Sequence, residues 1–280
     1  MGKIKIVTDS TMDMTIEQAE LLGVVVVPLS VTINGETYLD RVEIQPEEFM
    51  ETMKGLKELP KSSQPSAGTF LEVYDRLGEE GYEVISIHMT GKMSGTIRSA
   101  ESAAQMTKTK VSVVDSKFIS MALQFQVREA AEMAKQGKSL EEILERLDIV
   151  RENSKLYLMI DTLENMVKGG RIGKGKAFIG SLLNIKPIAS LEGAEYNPVA
   201  KVRSHSQVVK WLAKQFAEDV QGKTVKRVGI VHAEALELAT KLKNSIIDLT
   251  GYNDISVDYT GPTISTHTGP GTIAIMYYYE

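Results

Sequence analysis

Small hydroxyl and acidic residues recur at four points of this chain where strand-like runs open into loops: Thr8-Asp9-Ser10-Thr11, Ser62-Ser63-Gln64-Pro65-Ser66, Thr90 to Thr96, and Asp115-Ser116-Lys117. Any one of them can simply cap the next helix or close a turn. Their repetition has a second meaning. Ser62, Ser94 and Thr96 are uncharged donors, and several hydroxyls beside the amide end of a helix suit an anion such as a carboxylate or a phosphate. Two basic segments extend that chemistry. Gly170-Arg171-Ile172-Gly173-Lys174-Gly175-Lys176 satisfies the G-x-x-x-x-G-K part of a phosphate-binding loop. However, Ala177 stands where Ser or Thr would hold magnesium, and the preceding strand-like run ends near Ile160, too far upstream. The segment therefore reads as a basic glycine-rich turn, from which Arg171 can still face an anion. Arg203-Ser204-His205 follows a strand-like run and opens a helix, again an anion-friendly position, with an exposed ion-pairing arginine as the plain alternative.

The four histidines, 88, 205, 232 and 267, form no H-E-x-x-H or other metal-ligand spacing, so no metal is expected. The chain has no cysteine, which excludes disulfides, thiolate zinc sites, iron–sulfur clusters and a Cys nucleophile. His267 sits in Thr266-His267-Thr268-Gly269-Pro270-Gly271, whose glycines and proline suggest close backbone approach to a ligand. A Ser/His/Asp nucleophile does not assemble, because Gly91-Lys92-Met93-Ser94-Gly95 gives G-x-x-S-G rather than G-x-S-x-G.

The elements that must position these residues alternate. Ile4 to Val7 is strand-like, Thr15 to Gln18 fits a capping box, and Val24 to Val27 is a buried-strand run, which together make a βαβ opening. A helix starts at Gln45-Pro46-Glu47-Glu48, a polar stretch covers Leu59 to Gly68, and a helix covers Thr69 to Gly78. Val84 to His88 and Val111 to Asp115 read as strands, Phe118 to Gln136 as a long amphipathic helix, and Ser139 to Glu142 caps another that ends near Arg151. After Ser154 the pattern restarts: strands at Leu156 to Ile160, Ile185 to Ser190, Val199 to Arg203, Val228 to Val231, Ile255 to Tyr259 and Thr272 to Tyr278, with helices at Ser206 to Val220 and Ala233 to Thr250. Strand–helix alternation predicts an α/β fold with mostly parallel sheets covered on both faces. At 280 residues two domains are expected, 1–152 and 153–280.

Composition narrows the function further. With 32 basic against 37 acidic residues the chain carries a net charge of −5, which argues against a nucleic-acid binder. Val24 to Val27 is closed by Pro28, far short of the about 20 apolar residues a bilayer span needs. The opening Met-Gly-Lys-Ile-Lys-Ile runs directly into strand-like sequence, and Ile6 replaces the Ser or Thr of a myristoylation signal. A cytoplasmic protein is the expectation.

Taken in order, Val7-Thr8-Asp9-Ser10-Thr11, Ser62-Ser63-Gln64-Pro65-Ser66, Met93-Ser94-Gly95-Thr96, Val114-Asp115-Ser116-Lys117, Lys168-Gly169-Gly170-Arg171-Ile172 and His267-Thr268-Gly269-Pro270-Gly271 closely resemble the DegV family of bacterial lipid-binding proteins, almost end to end. The resemblance implies two α/β domains, the second read as lipid-binding, and one long-chain fatty acid such as palmitate, stearate or oleate in an internal tunnel. It further implies no cofactor, and delivery of that acid to a separate ATP-dependent fatty acid kinase, whose acyl phosphate feeds phospholipid synthesis. By the same resemblance Ser62, Ser63, Ser94, Gly95, Thr96, His267 and Arg171 bind the fatty acid, and Arg203 and His267 support phosphotransfer. Met93 stands where the family more often has Leu, a volume-conserving change, and Ser62 where Thr is common, which keeps the hydroxyl.

The composition suits such cargo. A buried carboxylate needs several donors, and each buried CH₂ contributes about 0.8 kcal/mol, so some 14 methylenes give on the order of 11 kcal/mol before binding entropy. Thirteen methionines make an adaptable wall. Phe178-Ile179-Gly180-Ser181-Leu182-Leu183, flanked by Lys174 and Lys176, is a candidate for transient contact with an anionic membrane. The competing reading is a stand-alone phosphotransferase or hydrolase acting on a small anionic substrate at Ser62, Ser94 and His267.

Overall fold

The computed structural model describes residues 3–178 and 185–280. The chain divides into two compact units, Met1–Gln45 with Ser62–Glu152, and Pro46–Lys61 with Asn153–Glu280. The segment 46–61, placed in the first domain by the sequence division, thus belongs to the second unit.

In the first unit the elements run β1 (Lys3–Asp9), α1 (Ile16–Leu21), β2 (Val25–Val27), β3 (Ser30–Ile33), β4 (Glu36–Leu39), then, past α2 (Pro46–Lys54) of the second unit, β5 (Lys61–Ser63), α3 (Ala67–Glu79), β6 (Tyr82–His88), α4 (Thr96–Met106), β7 (Val111–Asp115), α5 (Ser120–Lys135) and α6 (Leu140–Glu152). The main sheet has the order β2-β1-β6-β7 and is parallel throughout. Alternate side chains of its central strands enter different cores, as a sheet covered on both faces requires. Ile6, Ile85 and Ile87 join Met12, Met14, Leu123, Val127 and Leu147 on one side. Val7 and Val84 join Phe70, Tyr74, Ala100 and Ala103 on the other. Both expected capping boxes form: Thr15 Oγ1 accepts from Gln18 N–H while Gln18 Oε1 accepts from Thr15 N–H, and Ser139 and Glu142 exchange the same pair of bonds.

A hairpin not anticipated from the sequence pairs β3 with β4, and β5 completes this small sheet in the order β4-β3-β5. Asn34 and Gly35 turn the hairpin at φ 51° and 92°, both in the left-handed region that a tight two-residue hairpin turn demands. Nothing would obstruct a Cβ at Gly35, so only its backbone favours glycine. Gly35→Ala is accordingly expected to lower unfolding free energy by about 1 kcal/mol in urea melts; an unchanged midpoint would contradict the turn assignment.

The second unit adds to α2 the elements β8 (Ser154–Met159), α7 (Glu164–Lys168), a 3₁₀ helix (Gly173–Phe178), β9 (Lys186–Ser190), β10 (Asn197–Val202), α8 (His205–Asp219), β11 (Val225–Ala233), α9 (Leu236–Thr250), β12 (Ile255–Tyr259), α10 (Pro262–Thr268) and β13 (Thr272–Tyr279). Its sheet has the order β10-β9-β8-β13-β11-β12. Here the expectation of mostly parallel strands is corrected: only β11 and β12 run parallel, connected through α9, and the other pairs are antiparallel. Residues 191–196 between β9 and β10 are too few for a crossover, and the last strand inserts between β8 and β11, antiparallel to both. Phe216, Leu242, Ile246, Ile230, Ile275 and Tyr277 centre the core between this sheet and α8 and α9. Among the described residues no helix is long and apolar enough to cross a membrane.

Candidate functional site

The first cluster forms where β6 opens into α4. Gly95 holds the N-cap position of α4 without a side-chain cap, and the first turn contains no acid. Ser94, one residue before the cap, takes over part of the capping: its Oγ accepts from the Thr96 N–H at 3.3 Å and lies 2.9 Å from Thr96 Oγ1. Two hydroxyls thus stand beside the amide end of an 11-residue helix whose first turn holds no acidic residue. That arrangement stabilises an anion.

Ser62 and Ser63 are brought to the same helix by their neighbour Gln64. Gln64 Nε2 donates to Ser99 Oγ at 3.0 Å, one turn into α4, and its amide lies against Gly95, where a Cβ would stand 2.2 Å from Gln64 Oε1. The amide end of the Gln64 side chain therefore lies over Gly95. Ser62 is half-buried and Ser63 exposed. Gln64 was not singled out from the sequence as a site residue, and no local signal identifies it, since its partner is 35 residues away.

The second cluster lies within the second unit. His267 belongs to α10, and its ring packs on Gly169, where a Cβ would stand 2.2 Å from Nδ1. Arg171 Nη1 donates to the Gly169 carbonyl at 2.6 Å, and Asn165 Nδ2 donates to the Thr266 carbonyl at 3.2 Å. Burial, aided by the nearby Arg171 charge, pushes the His267 imidazole down to about 4. The structure thus brings His267 and Arg171 together. The histidine lies in a helix rather than in the loop its glycine-flanked sequence suggests. Within that helix Thr266 and Thr268 turn their hydroxyls back to donate to the carbonyls of Pro262 and Ile264, four residues back.

Arg203 is exposed between β10 and α8, with its backbone N–H donating to Gln207 Oε1 at 2.8 Å. Two residues on, His205 Nε2 lies 2.8 Å from Asp161 Oδ1, to which Lys186 Nζ donates at 2.6 Å. Burial works to raise the Asp161 carboxyl, but the bonds from Lys186 and His205 outweigh it and hold it below the ordinary range. Asp161 also abuts Gly271, where a Cβ would meet its Cβ at 2.9 Å, so the start of α8 is tied to the turn after His267. Asp161 was missed from the sequence, although an acid directly after an apolar strand was the available signal.

The segment that resembles a phosphate loop packs on a tyrosine instead. Gly173 and Gly175 lie against Tyr196, with a Cβ at Gly175 only 2.8 Å from its Cε1, and Gly173–Phe178 is a 3₁₀ helix. Lys174 pairs with Glu195 at 3.5 Å. The expected membrane contact at 178–183 falls on residues that, from 179 on, lie outside the described ones. Of the expected site residues, Ser62, Ser63, Ser94, Gly95 and Thr96 belong to the first unit, and Arg171, Arg203 and His267 to the second.

The depressed His267 value has a sign that can be tested. The unfolded ring, near its ordinary 6.5, takes up a proton before the folded ring does, so the ligand-free protein loses stability as pH falls from about 6.5 to 4. His267→Gln should flatten the urea-stability profile across that window; an identical slope in the variant would place the titration elsewhere.

A family model described as "Uncharacterised protein, DegV family" matches residues 3–280. A DegV domain-containing protein of Listeria monocytogenes is 43% identical over 279 residues, 99% of each chain, and one of Staphylococcus aureus is 40% identical over 276 residues, again 99% of each. Among solved structures, a DegV family protein from Thermus thermophilus, described by its fatty acid binding, superposes with a TM-score of 0.93 at 34% identity, covering 99% of this chain and 100% of that one. DegV from Bacillus subtilis, described as a fatty acid binding protein, gives 0.91 at 32% identity with both chains fully covered.

Proposed function

The chain belongs to the DegV family, and we propose from that premise that it binds a long-chain fatty acid and presents the carboxylate to a separate ATP-dependent kinase. The observation that carries the reading is the Ser94–Thr96 hydroxyl pair at the N-terminal end of α4, in a chain 34% and 32% identical to proteins described as binding fatty acids. In this proposal Ser62, Ser63, Ser94, Gly95 and Thr96 receive the carboxylate, whose charge is met by hydroxyls and helix amides rather than by an ion pair. His267 and Arg171 are the remaining proposed ligand contacts. Arg203 and His267 are given the phosphoryl side of the reaction, in which the kinase brings ATP and metal.

Affinity then comes from the tail and selectivity from the head group. Delipidated protein should bind oleate at micromolar concentration or tighter, and oleate methyl ester at least ten times more weakly, because the ester keeps the tail and loses the anion. Equal affinity for acid and ester in a calorimetric titration would remove the carboxylate site from the proposal.

A further inference from the structure

A row of polar side chains crosses the face of the first sheet that packs against α3. Val7 stands beside Ser86 in the β1–β6 register, so the period of two puts Asp9 and His88 on that same face. There Tyr74 OH donates to Ser86 Oγ at 2.7 Å, Ser86 Oγ lies 2.7 Å from His88 Nε2, and His88 Nδ1 lies 3.1 Å from Asp9 Oδ2. All four side chains are fully buried, and Phe70 packs edge-on against the His88 ring at 4.9 Å. The carboxylate can only accept, so Nδ1 carries a proton; in the neutral ring Nε2 then accepts from Ser86, which accepts from Tyr74. The row is sealed from solvent and its Ser86 hydroxyl is held between Tyr74 and His88, so it is read as structural rather than as a nucleophile.

What the row holds is the entry to the Ser94 turn. Besides His88, Asp9 Oδ2 accepts from the backbone N–H of Met89 at 2.9 Å, while Oδ1 accepts from Thr11 N–H and Oγ1 at 3.1 and 2.6 Å. Met89 is the first residue after β6. Thr90, next in the chain, donates its N–H to the Phe118 carbonyl at 2.9 Å, and its own carbonyl accepts from Met93 and Ser94 N–H at 3.2 and 3.4 Å. Asp9 therefore fixes the first peptide of a turn whose last residue is Ser94, and His88 supplies one of the donors that fix Asp9. We infer that Asp9 and His88 are positioning residues for Ser94: they set where its hydroxyl meets an anionic head group without touching that group themselves. The inference rests on the carboxylate site proposed above.

The test reads the ratio of oleate to oleate methyl ester affinity in delipidated variants, alongside urea stability. A merely structural loss weakens both ligands together, whereas a displaced Ser94 weakens the acid alone. Asp9→Asn leaves one acceptor oxygen where two served four donors, and should cut the acid-to-ester ratio about tenfold with ester affinity within twofold. Because this change can also unfold the sheet end, a second pair is measured. His88→Asn, which keeps a donor near Nδ1, should retain the ratio within threefold, and His88→Leu should lose it. If the folded variants all keep the wild-type ratio while Ser94→Ala loses it, the positioning role is overturned and the carboxylate site stands. If wild type shows no preference for the acid, or Ser94→Ala keeps it, the carboxylate site fails and the positioning role falls with it.

Discussion

Ser94→Ala is expected to weaken binding of a long-chain fatty acid by about 1–3 kcal/mol, roughly five- to a hundred-and-fifty-fold, the penalty for removing a partner of a desolvated charged group. The substitution takes away the hydroxyl 2.9 Å from Thr96 Oγ1 and also the acceptor of the Thr96 N–H. Little of the fold depends on it: Ser94 is half-buried, precedes the helix, and packs in neither apolar core of the first unit. Binding of oleate methyl ester, which depends on the tail, should stay within a few-fold. Calorimetry of the variant and of Ser62→Ala/Ser94→Ala decides the matter. Unchanged affinity for the acid in both would move the head group away from α4.

Arg203→Ala should separate holding the cargo from passing it on. Transfer of a phosphoryl group to a carboxylate spreads negative charge over the moving group, so a cation there acts mainly in the transition state. Arg203 is exposed, and the bond that organises its segment comes from its backbone N–H, which alanine keeps. The variant is expected to carry fatty acid within a few-fold of wild type yet lose acyl phosphate formation by about a hundredfold when kinase and ATP are supplied. His267→Ala should lose part of both. Full turnover without Arg203 would take it out of the phosphoryl step, and a variant empty of lipid would make it a binding residue.

How far the sequence discloses such a molecule depends on the range of the interaction. Capping boxes at Thr15 and Ser139, the strands 84–88 and 111–115, and the 186–190 with 197–202 pair are set by neighbours a few residues apart, and they form where the pattern puts them. The 30–39 hairpin was equally local, and Asn34-Gly35 was its signal. The mixed, mainly antiparallel sheet of the second unit was not local. Its central strand, Thr272–Tyr279, pairs with 154–159 and 225–233, and no periodicity in a buried apolar run encodes direction. The site divides the same way. Ser94, Thr96 and the glycines at 169 and 269 stand out as residue types, whereas Gln64, Asp161 and the Asp9–His88 pair gain meaning only from partners 35, 44 and 79 residues away.

Mass spectrometry of the lipid extracted from freshly purified protein tests the central claim most directly. The account predicts close to one long-chain fatty acid per protein molecule, released as the free acid, from a protein that does not hydrolyse ATP by itself. A protein that comes out empty, fails to take up added oleate and turns over ATP unaided would contradict it and leave a stand-alone phosphotransferase or hydrolase as the reading to pursue.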